Sequence, residues 1–365
     1  MIEAHWGERG PLSLGLEEEV MILDERTLMP APAVATLLAG VEGRDLPGRL
    51  KTELHASVVE LNTDVCASVA DGVDALRALR EAAAEVAAAH GLRIAAAGAH
   101  PVARAEELEI VAEERYEAMV DFVGPTARRQ GVNGLHVHVG MPSAEACFAA
   151  QEWLLPWLPL VLALSANSPY VAGEEYGLLS SRAEVLAKLP RSGAPPAFGS
   201  YAGWEAHAER MHRLGLTSDY TQIWWDVRPH PRFGTLEVRI ADQPTALELT
   251  GALASLVRGL CALALEEERK PPDPGARAVY QENRWAAAHL GPSARLVHPE
   301  EDRLVEASEL ARELVARLGA PAELAPLDLD SCEAETQLAV GRERGLHGLC
   351  TYLAERSVAS AAWAS

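Results

Sequence analysis

The chain has 365 residues, 48% of them hydrophobic, which is enough to enclose a sizeable core, and a formal net charge of −21. That charge argues against a general nucleic-acid or anionic-membrane surface, because both need basic patches. Cys66, Cys147, Cys261, Cys332 and Cys350 are widely spaced and form no C-x-x-C pair. Neither a disulfide framework nor a zinc knuckle is expected, and a reducing cytoplasm is the simplest compartment.

Residues 1–10 are short and polar and do not read as a leader. Residues 14–24, LGLEEEVMILD, read as a strand. Three consecutive carboxylates between apolar flanks are costly there. Alternation puts Glu17 and Glu19 on one face and Glu18 on the other, so the first two can begin a hard-cation site, while Glu18 is expected to be solvated or salt-bridged. Residues 31–50 read as a short helix and a Gly/Pro-punctuated loop. The stretch 51–66, KTELHASVVELNTDVC, becomes a strand over 57–65 with Glu60 in its middle and Glu53 just outside it. A helix is expected over 71–90, capped by Asp71 and ended by Gly91. A strand over 92–99 and an amphipathic helix over 106–122, stopped by Gly124-Pro125, follow.

GLHVHVG at 134–140 reads as a strand with His136 and His138 on one face and Val137 and Val139 on the other. The most apolar run, 153–166, is shorter than a membrane span and holds Pro156 and Pro159, so a buried helix with an irregular start is expected. The Pro/Gly/Ser-rich stretch 189–203 is the best candidate for a mobile loop or lid, and a helix follows over 204–214. GTLEVRIAD at 234–242 alternates again, with Glu237 and Arg239 sharing a face. A long helix over 245–268, a proline-rich linker at 270–275 and helices over 277–290 and 301–318 complete the chain. Strands cluster before residue 242 without a β-α-β rhythm. The expected fold is therefore α+β with a mostly antiparallel sheet, one catalytic domain spanning 1–365, its sheet core at about 12–242 and a mainly helical part at about 245–365.

Glu17, Glu19, Glu60, His136, His138, Glu237 and Arg239 all sit in apolar alternating strands. Four or five converging carboxylates cannot all ionise together without cations. Oxygen-rich ligands with an imidazole suit Mg2+ or Mn2+ better than zinc, and an arginine two residues from a carboxylate on one strand face suits a phosphate. Arg182 and Arg228 are candidates for a substrate carboxylate or for bracing. Trp224 and Trp225 read as core or pocket wall, Cys66 as a small buried hydrophobe, and His138 as a hydrogen-bonding or core histidine.

The ordered set GLEEE at 15–19, ELHASVVELNTDVC at 53–66, GLHVHVG at 134–140, SANSPY at 165–170 and WWDVRPHPRFGTLEVRIAD at 224–242 resembles the glutamate-cysteine ligase type 2 family, the carboxylate-amine ligases. The resemblance implies a glutamine-synthetase-like curved antiparallel sheet whose concave face holds Mg2+ and ATP. It also implies ATP-dependent ligation through an acyl phosphate, with the γ-carboxylate of glutamate as acid and an amine such as that of cysteine as acceptor. Carried over by position, Glu17, Glu19, Glu53, Glu60, His136 and Glu237 become metal ligands. Glu237 is shared between metals, and Arg239 sits on the transferring phosphoryl group. At residue 53 a glutamate stands where the family commonly has aspartate. A phosphoryl transferase of the same fold and a non-catalytic metal- or nucleotide-binding protein are the alternatives. Small-molecule substrates, no nucleic-acid or membrane partner, and a homodimer among the admissible assemblies complete the expectations.

Overall fold

The computed structural model describes residues 2–267 and 274–359. The expected linker at 270–275 lies outside them as far as residue 273. Leu14–Asp24 is an 11-residue strand, β1. Leu14, Leu16, Val20 and Ile22 on one of its faces join the main hydrophobic core, as a strand with one face against a helical layer requires. Around it lie Gly48–Thr52 (β2), Val58–Thr63 (β3), Leu92–Ala95 (β4), Leu135–Gly140 (β5), Val227–His230 (β6) and Thr235–Val238 (β7). They make one seven-stranded sheet in the order β6-β7-β5-β1-β3-β2, with β4 paired to the end of β1. Every ladder in it is antiparallel.

Helices cover the core face. Val69–Ala89 begins in a reciprocal capping box between Ser68 and Asp71, and buries Val73, Leu76 and Leu79. Leu247–Glu266 buries Leu253, Leu256, Val257 and Leu260. The apolar stretch after β5 runs as Ala144–Leu154, a 3-10 turn Leu155–Trp157, and Leu158–Ser165, with Pro156 and Pro159 at the break. Two helical runs, Ala144–Ser165 and Leu247–Glu266, are long and apolar enough to cross a membrane by length and composition, and 83% and 61% of their most apolar windows are buried inside the fold.

Several expected elements change. The helix expected over 106–122 is a 3-10 turn, Ala105–Glu107, and a shorter helix, Glu114–Val123. Between them the chain runs extended because Ala56 N–H donates to the Glu109 carbonyl and Val111 N–H to that of Leu54. Tertiary hydrogen bonds there override local helix preference. The 189–203 stretch is partly ordered by pairing, since Ser192–Gly193 runs parallel to Trp224–Trp225. Beyond residue 242 a small hairpin, Arg295–Val297 with Leu304–Glu306, interrupts the helices. The remaining architecture is the α+β arrangement expected.

Candidate active site

Antiparallel register places partners side by side on the same face, so the site can be read as three rows across the sheet. The first runs Arg228–Glu237–His138–Gly15 over β6, β7, β5 and β1. The second is His136–Glu17–Asn62–Arg49 over β5, β1, β3 and β2. The third is Glu19–Glu60–Lys51 over β1, β3 and β2. Residues 220 positions apart in the chain thus share one surface because β1 lies at the middle of the sheet.

Two groups of possible ligand atoms result. In each of Glu19/Glu53/Glu60 and Glu17/His138/Glu237, one ligand atom per residue lies within 4.8 Å of the others. His136 lies between the groups, with Nδ1 3.0 Å from Glu17 Oε2 and Nε2 3.7 Å from Glu19 Oε1. His138 was not assigned as a ligand by its sequence neighbourhood, yet its Nε2 is 3.5 Å from Glu17 Oε1. Its Nδ1 is 3.0 Å from Thr235 Oγ1. The signal was its same-face spacing with His136, and only the register with Glu237 gives that spacing meaning. The Nε2 atoms of both histidines are buried without a hydrogen-bond partner. An all-carboxylate trio suits a hard divalent cation, and the mixed trio adds the imidazole that Mg2+ or Mn2+ tolerates; the residues present fit such ions.

The two groups neutralise their charge differently. Burial raises Glu17, but the His138 charge and the hydrogen bonds of His136 and His138 outweigh it and hold the carboxyl well below the ordinary range. Burial likewise works against ionised Glu237, and Arg228 and Arg239 overcome it. In the all-carboxylate trio no cationic partner is strong enough. Burial first, then Glu53, pushes Glu19 up to about 8. Burial first, then Glu17 and Glu53, pushes Glu60 up to about 7. Protons therefore hold the places that a cation would take. His136 is pushed down to about 4 by burial and then by Arg239, so it is a neutral imidazole at neutral pH and free to ligate.

Arg239 donates through Nη1 to Glu237, and the same atom is 3.3 Å from His136 Nδ1. Arg228, a candidate for a substrate carboxylate or for bracing, borders the cleft that Glu19 and Arg239 line and turns its guanidinium onto Glu237. Its Nε and Nη2 donate to Glu237 at 2.6 and 3.1 Å, and Nη1 donates to the carbonyls of Thr221 and Ile223. All three nitrogens are engaged, so it orients Glu237. Arg182 is buried and donates to the carbonyls of Ile240 and Arg239, bracing the strand end that carries Arg239, while its Nε has no partner. Its guanidinium lies so close over Gly134 that a Cβ there would meet Nη2 at 2.0 Å. Only glycine leaves that space.

Two clefts open from this face and meet at Glu17. The first, about 470 Å³, is lined by Glu19, Glu53, Glu60, Arg115, Tyr116, His136, Arg182, Trp224, Asp226, Arg228, Arg232 and Arg239 among others. The second, about 510 Å³, is lined by Arg9, Gly15, Arg49, Lys51, Asn62, His138 and Phe233 among others. Trp224 is thus pocket wall, and Trp225 is core. The SANSPY motif has a bracing role. Asn167 N–H and the Ser168 hydroxyl donate to Asp242 Oδ2, and the Ser180 hydroxyl to Oδ1. His289 is exposed, its ring tilted 49° to that of Trp285 at 6.3 Å, and it lines neither cleft.

Glu18 takes the second of its two expected roles, solvated or salt-bridged. It is fully buried on the core face, where Arg80 binds it through Nε and Nη2 at 2.6 and 2.7 Å and Thr250 and Gln243 donate to Oε1. The carboxylate is salt-bridged and not solvated.

Residues 13–349 match the profile of glutamate-cysteine ligase family 2. The chain belongs to that family. It is 40% identical over 365 residues to the Rubrobacter xylanophilus protein named "Putative glutamate--cysteine ligase 2-3", covering 97% of this chain and 99% of that one. To the glutamate–cysteine ligase of Haloferax volcanii it is 35% identical over 345 residues, with 93% and 96% covered. Its fold is shared with a solved glutamate–cysteine ligase of Francisella tularensis in complex with AMP, at a TM-score of 0.70, 13% identity and coverage of 95% and 88%. The chain is accordingly an ATP-dependent carbon–nitrogen ligase, and its antiparallel sheet is the fold it shares with that solved ligase. The family match spans every strand of the ligase's central sheet and both cation-capable trios.

Proposed function

We propose that this ligase joins the γ-carboxylate of glutamate to an amine through an acyl phosphate, using MgATP. The observation that carries the reading is the meeting of two clefts at Glu17, with six cation-capable side chains and Arg239 on the same sheet face. In the second cleft, Arg9, Arg49 and Lys51 suit a polyphosphate, and the half-exposed Phe233 offers a ring for a base to pack against. In the first, Arg115, Arg232 and the unpartnered Nε of Arg182 suit the carboxylates of amino-acid substrates. Glu19, Glu53 and Glu60 would hold one Mg2+ or Mn2+, and Glu17, Glu237 and an imidazole, His136 or His138, a second. Such ions screen phosphate charge and polarise the γ-phosphoryl group.

The substrate carboxylate oxygen attacks the γ-phosphorus, and the bond from that phosphorus to the bridging oxygen breaks, giving ADP and an acyl phosphate. Arg239 donates to the equatorial oxygens as charge spreads over them. The amine nitrogen then attacks the acyl carbon, the carbon–oxygen bond to phosphate breaks, and inorganic phosphate leaves with the electron pair. A proton departs from nitrogen to complete the amide. Arg228 and Arg182 hold Glu237 and the Arg239 strand in place, and the clefts supply alignment of the reactants.

ADP release measured with glutamate, with and without a panel of amines, tests this. Amide and ADP formed together, only when acid and amine are both present, is the expected result. ADP with a phosphorylated acid and no amide would favour a phosphoryl transferase, and no ADP with any amine a binding protein.

A further inference from the structure

Asn62 on β3 is 6% exposed, and neither its Oδ1 nor its Nδ2 reaches a hydrogen-bond partner. It lies close enough to Glu60 to draw that carboxyl downward against the larger effect of burial. A buried amide left unpaired destabilises the fold that contains it. The apolar neighbours on β3, Val59 and Leu61, point to the core, whereas Asn62 lines the second cleft. Asn62 therefore borders the space that a ligand would enter, with its unused donors and acceptor covered in the ligand-free protein.

Its surroundings define the ligand's chemistry. Asn62 lies between Glu17 and Arg49 in one row of the sheet, with Lys51 in the next. Gly15 occupies β1 two residues from Glu17, on the same face and lining the same cleft. Its φ lies outside the left-handed region, and a Cβ there would meet only His138 Cβ at 3.5 Å, an ordinary contact. Neither backbone nor neighbours require glycine. Its absent side chain leaves room in the cleft floor between His138 and Asn62.

We propose that Asn62 grips the terminal phosphates of a nucleoside triphosphate, its Nδ2–H donating to a phosphate oxygen, and that Gly15 leaves the space for that oxygen. The inference rests on the reading of the second cleft as the nucleotide site. Asn62 is then a substrate-positioning residue beside the cation site, at a place where an apolar side chain would suit the free protein better.

The test is calorimetric binding of a non-hydrolysable ATP analogue and of AMP, both with Mg2+, to the full chain and to Asn62→Leu and Gly15→Ala. Asn62→Leu should weaken the analogue about 10-fold or more, the usual effect of losing a hydrogen bond to a charged group, and leave AMP affinity unchanged. Its ligand-free thermal midpoint should equal or exceed that of the unaltered protein, because an apolar near-isostere replaces an unpaired amide. Gly15→Ala should weaken the analogue without lowering the midpoint. Unchanged analogue affinity in Asn62→Leu overturns the assignment, as does equal weakening of AMP, and a lowered midpoint contradicts the unpaired state on which it rests. Arg49→Ala and Lys51→Ala separate the two levels. If they leave the analogue's affinity unchanged, the cleft reading fails. If they weaken it while Asn62→Leu does not, only the role of Asn62 fails.

Discussion

Arg239 is where charge, geometry and proposed chemistry meet in a single side chain. It contacts Glu237 and His136 and lines the first cleft, so its planar fork can turn from a carboxylate to a phosphoryl group with little movement. A lysine keeps the charge and loses the fork. Arg239→Lys is expected to lower kcat by roughly 10²–10³ while changing KM for glutamate far less, as removal of one preorganised donor does elsewhere. Steady-state kinetics with saturating MgATP check this, and a loss confined to KM would assign Arg239 to ground-state binding. Glu237→Gln removes the charge that Arg228 and Arg239 share. Mg2+-dependent nucleotide binding should fall with it, and unchanged binding and turnover would show that Glu237 is no ligand.

At the scale of the element, β1 carries different chemistry on its two faces. Glu17 and Glu19 face the clefts, while Glu18 is held in the core by Arg80. Arg80 also donates to the carbonyls of Pro244, Thr245 and Ser357, tying helix Val69–Ala89 to distant segments. Gln243 donates to Glu18 while its oxygen accepts the Glu19 N–H. Removing one member leaves a buried charge uncompensated. Arg80→Met should destabilise the protein by about 3–5 kcal/mol, and Glu18→Leu with Arg80→Met should recover much of that loss. Denaturant unfolding of the single and double variants measures both. A single variant within 1 kcal/mol of the parent would show the pair to be dispensable.

For the molecule as a whole, Glu19 and Glu60 of the all-carboxylate trio predict how stability depends on pH. Glu19 at about 8 and Glu60 at about 7 in the folded protein lie above the ordinary value of 4.5 that an unfolded chain shows. Between these limits the folded state binds more protons, so the stability they contribute is complete below about 4.5 and lost as pH rises to about 8. Thermal midpoints of the metal-free protein should therefore fall from pH 5 to pH 8. Mg2+ should raise the midpoint more at pH 8 than at pH 6, where it must displace protons. A flat profile with equal Mg2+ effects would place the cation elsewhere. The C-terminal helix Glu333–Val358 is tied in by Gln337 to Asn167 and by Ala96 N–H to the Ser357 hydroxyl. One cooperative unfolding transition is the expected calorimetric result, and two resolved transitions would divide the chain into separate domains.

The strands of the site were legible in the chain because an alternating apolar pattern has a period of two and marks which charged residues break it. Glu17, Glu19, Glu60, Glu237 and Arg239 were visible for that reason, and the ordered motifs carried the family. Pairing across strands is not encoded in spacing. His138 became a possible ligand only when the register set it beside Glu237, and the contact of Arg228 with Glu237, between its substrate and bracing roles, exists only in the folded chain. The broken helix near residue 110 depended on hydrogen bonds to residues 54 and 56, which no local propensity contains. Glu18 is the plainest case. Periodicity alone put it on the face opposite the site, but a core position for a carboxylate is tolerable only where Arg80, Thr250 and Gln243 arrive from other elements to satisfy it, and that convergence exists only in the folded chain.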